Sequence, residues 1–128
     1  MGALDGAGGF VSKRNPETPL THDAIAYLRC FGFIAWRQNS GVAKYKGEDG
    51  GVRRVQFGFP GLSDVGAIHP GSGRYVAVET KVPGKEATKE QREFLDEVNA
   101  SGGVGFVAHN LDELHDELVR FGLLEVGT

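Results

Sequence analysis

Two charged residues stand at the end of an otherwise apolar segment, "RYVAVETK" (residues 74–81). Side chains alternate between the two faces of a strand, so Glu79 and Lys81 share one face. The "PGSG" turn (70–73) predicts a hairpin whose other strand opens at Asp64. Neighbouring strands lie about 4.8 Å apart. We therefore expect Asp64 and Glu79 to approach each other at the end of the sheet.

This trio has a specific chemistry. Two carboxylates at such close range repel each other unless a cation lies between them. Oxygen ligands completed by waters suit Mg²⁺ or Mn²⁺. A nearby lysine can orient or help to deprotonate an attacking water, or stabilise charge that builds on a phosphate. The pattern therefore predicts a metal-dependent phosphodiesterase site. The alternative is a surface ion pair at a strand end, worth under about 1 kcal/mol.

Short motifs surround these residues: "GLSD" ending at Asp64, "ETK" (79–81), "TKEQ" (88–91) opening a helix, and "WRQNSG" (36–41). Together they resemble the PD-(D/E)XK nuclease superfamily, and more narrowly its VRR-NUC (virus-type replication-repair nuclease) domain. The resemblance implies Asp64 and Glu79 as metal ligands, with the backbone carbonyl of Thr80 as a further ligand. It also implies Lys81 as the catalytic lysine and Gln91 as a motif residue near the site.

Gln91 has a second interpretation. The segment "TKEQ" is also a capping box, with Thr88 as the N-cap and Gln91 at the third helical position. Capping and contact with the site compete for the same side chain, and the sequence leaves both open.

The acid of the family's first helix has no obvious counterpart. That region reads "NPETPLTHDAIAYL", in which Thr21 predicts the cap of a helix over residues 21–31. Glu17 is the preferred candidate for the missing acid, although it precedes the predicted helix. Asp23 and His22 are the alternatives.

Charge is unevenly distributed along the chain. The net charge is −3, but residues 1–92 carry +4 and residues 93–128 carry −7. A basic region allows a protein of negative net charge to bind a polyanion. The predicted DNA contacts are Arg37, Asn39, Lys44, Arg53, Arg54, Ser63, Lys85 and Lys89. For the arginines of the hairpin, the alternative is a solvated strand edge.

Length and composition indicate one globular domain of 128 residues, with 40% hydrophobic and 24% charged residues. We expect residues 1–15 to form a flexible arm and residues 16–128 a single nuclease domain. The single cysteine, Cys30, excludes a disulfide within the chain and is interpreted as a small apolar filler. A reducing cytoplasmic setting fits this cysteine content. We expect no membrane contact, since no apolar run approaches about 20 residues, and no organic cofactor.

The periodicity predicts an α+β fold with a mixed central β-sheet flanked by helices, in the order α-β-β-β-α-β-α. The segment "GVAKYKGEDGGVRRVQFGF" predicts a hairpin with "EDGG" as its turn. A helix over residues 88–102 connects strand 74–81 to strand 104–109, and such a crossover predicts parallel strands. The resemblance implies a restriction-endonuclease-like core.

The function that the resemblance implies is metal-dependent cleavage of DNA. Small stand-alone members of the family act on branched DNA, such as flaps or four-way (Holliday) junctions, and resolve junctions as homodimers. We therefore expect a junction-resolving homodimer, phage- or prophage-encoded and working in the bacterial cytoplasm. The alternatives are a sequence-specific or nicking endonuclease, a non-catalytic DNA-binding module, and a scaffolding protein.

Overall fold

The computed structural model describes residues 17–38 and 40–127, so the predicted arm and Asn39 lie outside the described residues. In chain order the elements are α1 (Thr18–Cys30), β1 (Ile34–Arg37), β2 (Gly41–Lys46), β3 (Val52–Phe57), β4 (Val65–Ile68), β5 (Tyr75–Thr80), α2 (Lys89–Ala100), β6 (Val104–Ala108) and α3 (Leu111–Arg120). None of these helices of the described chain is long and apolar enough to cross a membrane.

The central sheet has four strands in the order β1-β4-β5-β6. The β1–β4 and β4–β5 pairs are antiparallel, and β5–β6 is parallel, with α2 as the crossover between them. The predicted α+β class, the mixed sheet and the parallel crossover are confirmed. The predicted order α-β-β-β-α-β-α describes the helices and the central sheet only. Strands β2 and β3 add two further elements, paired in a separate two-stranded sheet.

Strand β5 lies at the centre of the core because both of its faces are covered. Val76 and Val78 pack in the larger apolar cluster, which includes residues of α1 and α3. On the other face, Ala77 packs with two residues of α2, Leu95 and Val98. A strand buried on both faces reads as a continuous apolar run, so a carboxylate at position 79 needs a specific explanation.

The first helix begins earlier than predicted. Its N-cap is Glu17, and Pro19 occupies the first turn, where proline is tolerated because the early N–H groups have no partner within the helix. The predicted N-cap, Thr21, instead lies inside α1, with its hydroxyl 3.0 Å from the carbonyl oxygen of Glu17. A second prediction is also wrong: Cys30, interpreted as an apolar filler, is exposed at the last helical position.

Candidate metal centre

Glu79 is the unusual residue of the core. It lies next to last on β5 and is only 2% exposed. Its Oε2 accepts a hydrogen bond from Nε2 of Gln91 at 2.9 Å. Its Oε1 is buried without a hydrogen-bond partner among the described residues. A buried carboxylate oxygen without a partner is costly, so this atom indicates a site that receives a positively charged or proton-bearing group.

Asp64 completes a carboxylate pair with Glu79. Val65 pairs with Val78 in the antiparallel ladder, so Asp64 lies opposite Glu79 at the next position. The Asp64 side chain is half-buried. Its Oδ2 accepts hydrogen bonds from the backbone N–H of Thr80 at 3.1 Å and from the Thr80 hydroxyl at 2.8 Å. The predicted approach of the two carboxylates is confirmed.

The electrostatics follow from this geometry. Burial, together with the neighbouring Asp64 carboxylate, raises the pKa of Glu79 from its ordinary 4.5 to about 8, and the Lys81 ammonium acts in the opposite direction. A carboxyl group held neutral by these two causes ionises when a cation replaces the proton. The pair therefore has the character of a site that exchanges a proton for a metal ion.

Lys81 is the cation of the site. Its Nζ lies 3.8 Å from Oε2 of Glu79, and its side chain is 13% exposed. The alternative interpretation, an ion pair on the protein surface, is therefore wrong about its location, because Lys81 and Glu79 are both largely buried. A mostly desolvated ammonium beside two carboxylates can act on a phosphate bound there more strongly than an exposed lysine can.

Gln91 performs both roles that the sequence left open. Its Oε1 accepts the backbone N–H of Thr88 at 2.8 Å, and its own backbone N–H donates to the Thr88 hydroxyl at 3.2 Å, which completes the capping box. At the same time its Nε2 donates to Glu79. The two roles do not compete, since one uses the acceptor of the amide and the other uses its donor.

The loop that carries Asp64 packs closely against the start of α2, the helix that contains Gln91. Gly61 has a φ of +92°, and a Cβ at this position would lie 2.4 Å from the carbonyl oxygen of Glu90. Only glycine fits so close to a backbone. The start of α2 therefore positions both sides of the carboxylate pair: Gln91 contacts Glu79 directly, and Gly61 holds the approach to Asp64.

A hydroxyl network supports the other side of β5. The Thr80 hydroxyl, which donates to Asp64, lies 2.6 Å from the hydroxyl of Thr21 on α1. Thr80 is fully buried, so its hydroxyl connects α1 to the site. Nothing in the described contacts tests the carbonyl of Thr80 as a metal ligand, and that role stays a prediction.

Within the described part of the chain, the candidates for a third metal ligand form no ion-binding group with the carboxylate pair of Asp64 and Glu79. Oε2 of Glu17 accepts the backbone N–H of Val82 at 3.2 Å, which places it near the end of β5. His22 and Asp23 lie on the exposed side of α1. Among the described residues no three His, Cys, Asp or Glu side chains form a group that could hold one ion. The role of Glu17 as a third ligand stays a prediction.

Ser63 is placed differently from the prediction. It was predicted to contact DNA, but it is 1% exposed. Its hydroxyl donates to the carbonyl of Val65 at 2.9 Å and accepts from Nε2 of Gln38 at 3.1 Å. Buried and satisfied in this way, it holds the turn before Asp64 and does not face a ligand.

Gln38 is a residue that the sequence reasoning missed. It connects the start of β4 to Tyr75, whose hydroxyl donates to Oε1 of Gln38 at 2.9 Å. The chain also leaves no room for a side chain at Gly66, where a Cβ would lie 2.3 Å from the same Oε1. Its position in the "WRQNSG" segment was the available signal.

The remaining predicted DNA contacts occupy four places. Arg37 lies exposed at the end of β1, Lys85 lies exposed in the loop after β5, and Lys89 lies 3.7 Å from Glu93 on the surface of α2. Lys44, Arg53 and Arg54 are exposed on the β2–β3 hairpin. Asn39 lies outside the described residues.

His109 fixes the loop between β5 and α2. Its Nδ1 lies 2.8 Å from Oε1 of Glu113, and its Nε2 lies 2.7 Å from the carbonyl oxygen of Lys85. The Glu113 carboxylate and the Lys85 carbonyl raise the pKa of the imidazole. The loop next to Lys81 is thereby tied to the start of α3, which limits where Lys85 can lie.

The residues present fit a divalent cation. Two adjacent carboxylates offer hard oxygen ligands, one of their oxygens is buried without a partner among the described residues, and a lysine stands beside them. No family model, curated protein or solved structure matches this chain. The geometry and chemistry of the site are therefore the basis for a function.

Proposed function

We propose that the protein is a metal-dependent phosphodiesterase. The observation that carries the proposal is the buried, partly unpartnered Glu79 carboxylate beside Asp64 and Lys81. An ion pair serving only stability needs one carboxylate, whereas here a second carboxyl group lies beside it, which costs free energy unless a proton or a cation lies between the two. A carboxyl group whose pKa is strongly raised by burial and by a charged neighbour is typical of functional sites.

More narrowly, we propose a DNA endonuclease of the VRR-NUC type that cuts branched DNA, with four-way junctions as the preferred substrate of a homodimer. The motifs around Asp64, Glu79, Lys81 and Gln91 support this narrower assignment, as does the order of elements around the central sheet. A restriction-endonuclease-like core and a site of action in the bacterial cytoplasm belong to the same proposal.

In this proposal each side chain has a distinct task. Asp64 and Glu79 would hold Mg²⁺ or Mn²⁺, which when bound supplies positive charge that polarises the phosphate. Gln91 fixes the orientation of Glu79 through its amide N–H. Thr80 does the same for Asp64 through two hydrogen bonds. Lys81 orients the attacking water or neutralises the charge that develops on the phosphate oxygens.

The reaction itself is a hydrolysis. The oxygen of water forms a bond to phosphorus while the bond from phosphorus to the 3′-oxygen breaks. The attacking water releases a proton to solvent, and the departing 3′-oxygen takes one up. The products are a 5′-phosphate and a 3′-hydroxyl. The chain's contribution is positioning and electrostatic stabilisation, which supply most of the catalysis in phosphoryl transfer.

The test compares wild type with Asp64→Ala, Glu79→Gln and Lys81→Ala on a labelled four-way junction and on a linear duplex of the same sequence. Each substrate is incubated with Mg²⁺, Mn²⁺ or EDTA. We expect cleavage of the junction by wild type with metal only, and a decrease of at least about 100-fold in each variant. No cleavage under any metal condition would refute the enzymatic proposal. Undiminished cleavage by the variants would refute the site.

One observation favours a second candidate, a DNA-binding module without activity. Among the described residues no three His, Cys, Asp or Glu side chains form a group that could hold one ion, whereas the family that the motifs resemble usually has a third acid. In that case wild type would bind the junction with the same affinity in Mg²⁺ and EDTA and would leave it intact. Cleavage of the linear duplex as fast as the junction would instead indicate a sequence-specific or nicking enzyme.

A further inference from the structure

The β2–β3 hairpin is detached from the rest of the described structure. Its strands pack on each other and on no other helix or strand of the described residues. Every residue of β2 is exposed. An isolated two-stranded hairpin is marginally stable in water, and none of the side chains described for this one belongs to either apolar cluster. Its presence therefore indicates a use outside the core.

The hairpin is rooted at the edge of the sheet that carries the carboxylate pair. It follows the end of β1, where the backbone N–H of Gln38 donates to the carbonyl of Asp64 at 2.7 Å. Each of its strands has six residues, so the hairpin is about 20 Å long at about 3.4 Å per residue. It begins three residues after the backbone contact of Gln38 with Asp64.

The register gives the hairpin two different faces. Lys44 pairs with Arg54, and Lys46 pairs with Val52. Opposite residues share a face and successive residues alternate, so Lys44, Lys46 and Arg54 lie on one face. The sequences "GVAKYK" and "VRRVQF" contain no acidic residue. This basic face is exposed along its whole length.

The two faces differ in their charge. The basic face also carries Val42, Val52 and Gln56, whereas Ala43, Tyr45, Val55 and Arg53 lie on the opposite face. Arg53 is neutralised by Asp49 in the turn, at 2.8 Å between Nη2 and Oδ2. The positive charge of the hairpin is therefore concentrated on the basic face. Arg53, although predicted to contact DNA, is excluded from that face by the strand register.

We propose that the basic face of the hairpin, Lys44, Lys46 and Arg54, binds the phosphate backbone of a duplex arm beside the cleavage site. This inference rests on the proposed function for its ligand. A two-stranded ribbon has the width that a DNA groove admits, and clustered cations without interspersed acids complement a polyanion. Lys46 is added to the predicted contacts, and the face acts as an arm that positions DNA and takes no part in the chemistry.

The test measures binding of a labelled four-way junction in Ca²⁺, at a series of NaCl concentrations, by fluorescence anisotropy. The variant Lys44→Gln/Lys46→Gln/Arg54→Gln is compared with Arg120→Gln, an exposed arginine at the end of α3. We expect the triple variant to bind at least about tenfold more weakly near 0.1 M salt. The slope of log K against log salt should become shallower by about 0.9 for each phosphate that the variant no longer neutralises. Arg120→Gln should bind as wild type does.

A pair of single variants tests the assignment of faces. Arg53 and Arg54 are adjacent in sequence and lie on opposite faces. Arg54→Gln should weaken binding more than Arg53→Gln. Equal weakening would overturn the proposal, as would unchanged affinity and salt slope in the triple variant. A triple variant that changes the mass of the free protein in light scattering would also overturn it, because the basic face would then bind a second copy.

Failure of this inference can be distinguished from failure of the proposed enzymatic function. Binding is measured in Ca²⁺ and cleavage in Mn²⁺, so the two proposals are tested in separate assays. If wild type binds DNA through this face but never cuts it, the enzymatic proposal fails while this inference stands. Circular dichroism of each variant checks that the fold is retained, and Lys44→Arg/Lys46→Arg should restore the affinity that the glutamines remove.

Discussion

The candidate metal site depends above all on one residue, Glu79. A carboxylate buried on a central strand is costly, and the surroundings of Glu79 offset only part of that cost. Gln91 donates one hydrogen bond and Lys81 supplies a charge at 3.8 Å, yet Oε1 has no partner among the described residues. The side chain is therefore poised to bind a proton or a metal ion.

The stability of the metal-free protein should depend on the ionisation of Glu79. The pKa of its carboxyl is about 8 in the folded protein and near 4.5 in the unfolded chain. The folded state therefore binds the proton more tightly, and stability should fall as pH rises from about 4.5 to about 8. Each unit of pKa corresponds to about 1.4 kcal/mol.

Thermal melts of wild type and Glu79→Gln between pH 5 and pH 9 measure this effect. The Tm of Glu79→Gln minus the Tm of wild type should increase as pH rises. Mn²⁺ should stabilise wild type more at pH 8.5 than at pH 6, and should not stabilise the variant. A Tm difference that does not change with pH would show that Glu79 is ionised throughout.

The two roles of Gln91 can be separated by substitution. Gln91→Glu keeps an oxygen that accepts from Thr88 but replaces the donor to Glu79 with another carboxylate. Metal-dependent cleavage should fall about 10- to 100-fold, as is typical when the partner of a metal ligand is removed. Thr88→Ala is the matched control, because it removes the cap at a cost of about 1 kcal/mol and leaves the donor. Full cleavage by Gln91→Glu together with a decrease in Thr88→Ala would show that only the helix cap matters.

At the level of elements, the start of α2 organises the site. It presents Gln91 to Glu79, and it receives Gly61 from the loop before Asp64. The network from Thr21 through Thr80 to Asp64 fixes the same strands from the α1 side. The carboxylate pair is therefore held between two helices that approach β5 from opposite faces.

Gly61 offers a test of this packing with a matched control. Both Gly61 and Gly71 have positive φ values, +92° and +89°, but a Cβ at Gly71 would contact nothing within 4 Å. Gly71→Ala should cost only the backbone strain, about 1 to 2 kcal/mol. Gly61→Ala should cost more and also slow cleavage, because it pushes the loop of Asp64 away from α2. Urea denaturation and the junction assay measure the two effects. Equal destabilisation would contradict the close packing.

At the level of the whole molecule, the chemistry and the proposed DNA-binding surface are in different places. The carboxylate pair belongs to a four-stranded sheet covered by helices on both faces. The basic hairpin stands outside that core, attached at the edge of the site. One chain of 128 residues offers a small footprint, and a symmetric pair of chains would double it.

We expect two chains to bind one four-way junction, since resolution needs two cuts. Native mass spectrometry of the Lys81→Ala protein, which we expect to leave the junction uncut, should detect a complex of two chains with one junction. A linear duplex of equal length serves as the control for substrate. A complex of one chain with one junction at saturation would contradict the homodimer.

Much of the site was predictable from the sequence because it depends on local geometry. Alternation along β5 and the residue after it places Glu79 and Lys81 on one side, and the "PGSG" turn brings Asp64 opposite Glu79. The capping box of α2 and the parallel crossover to β6 follow from short patterns in the same way. Each of these features is set by residues close together along the chain.

What only the tertiary structure decided are contacts between distant residues. Thr21 and Thr80 meet across 59 positions, and Gln38 reaches Ser63 across 25. These contacts made Thr21 a connection to the site and not a helix cap, and made Ser63 a buried support and not a DNA contact. The burial of Glu79 belongs to the same class, since its environment is built by α2 and by β4 together. A residue's type and spacing determine its chemistry, whereas the packing of remote elements determines its dielectric surroundings and hence its pKa.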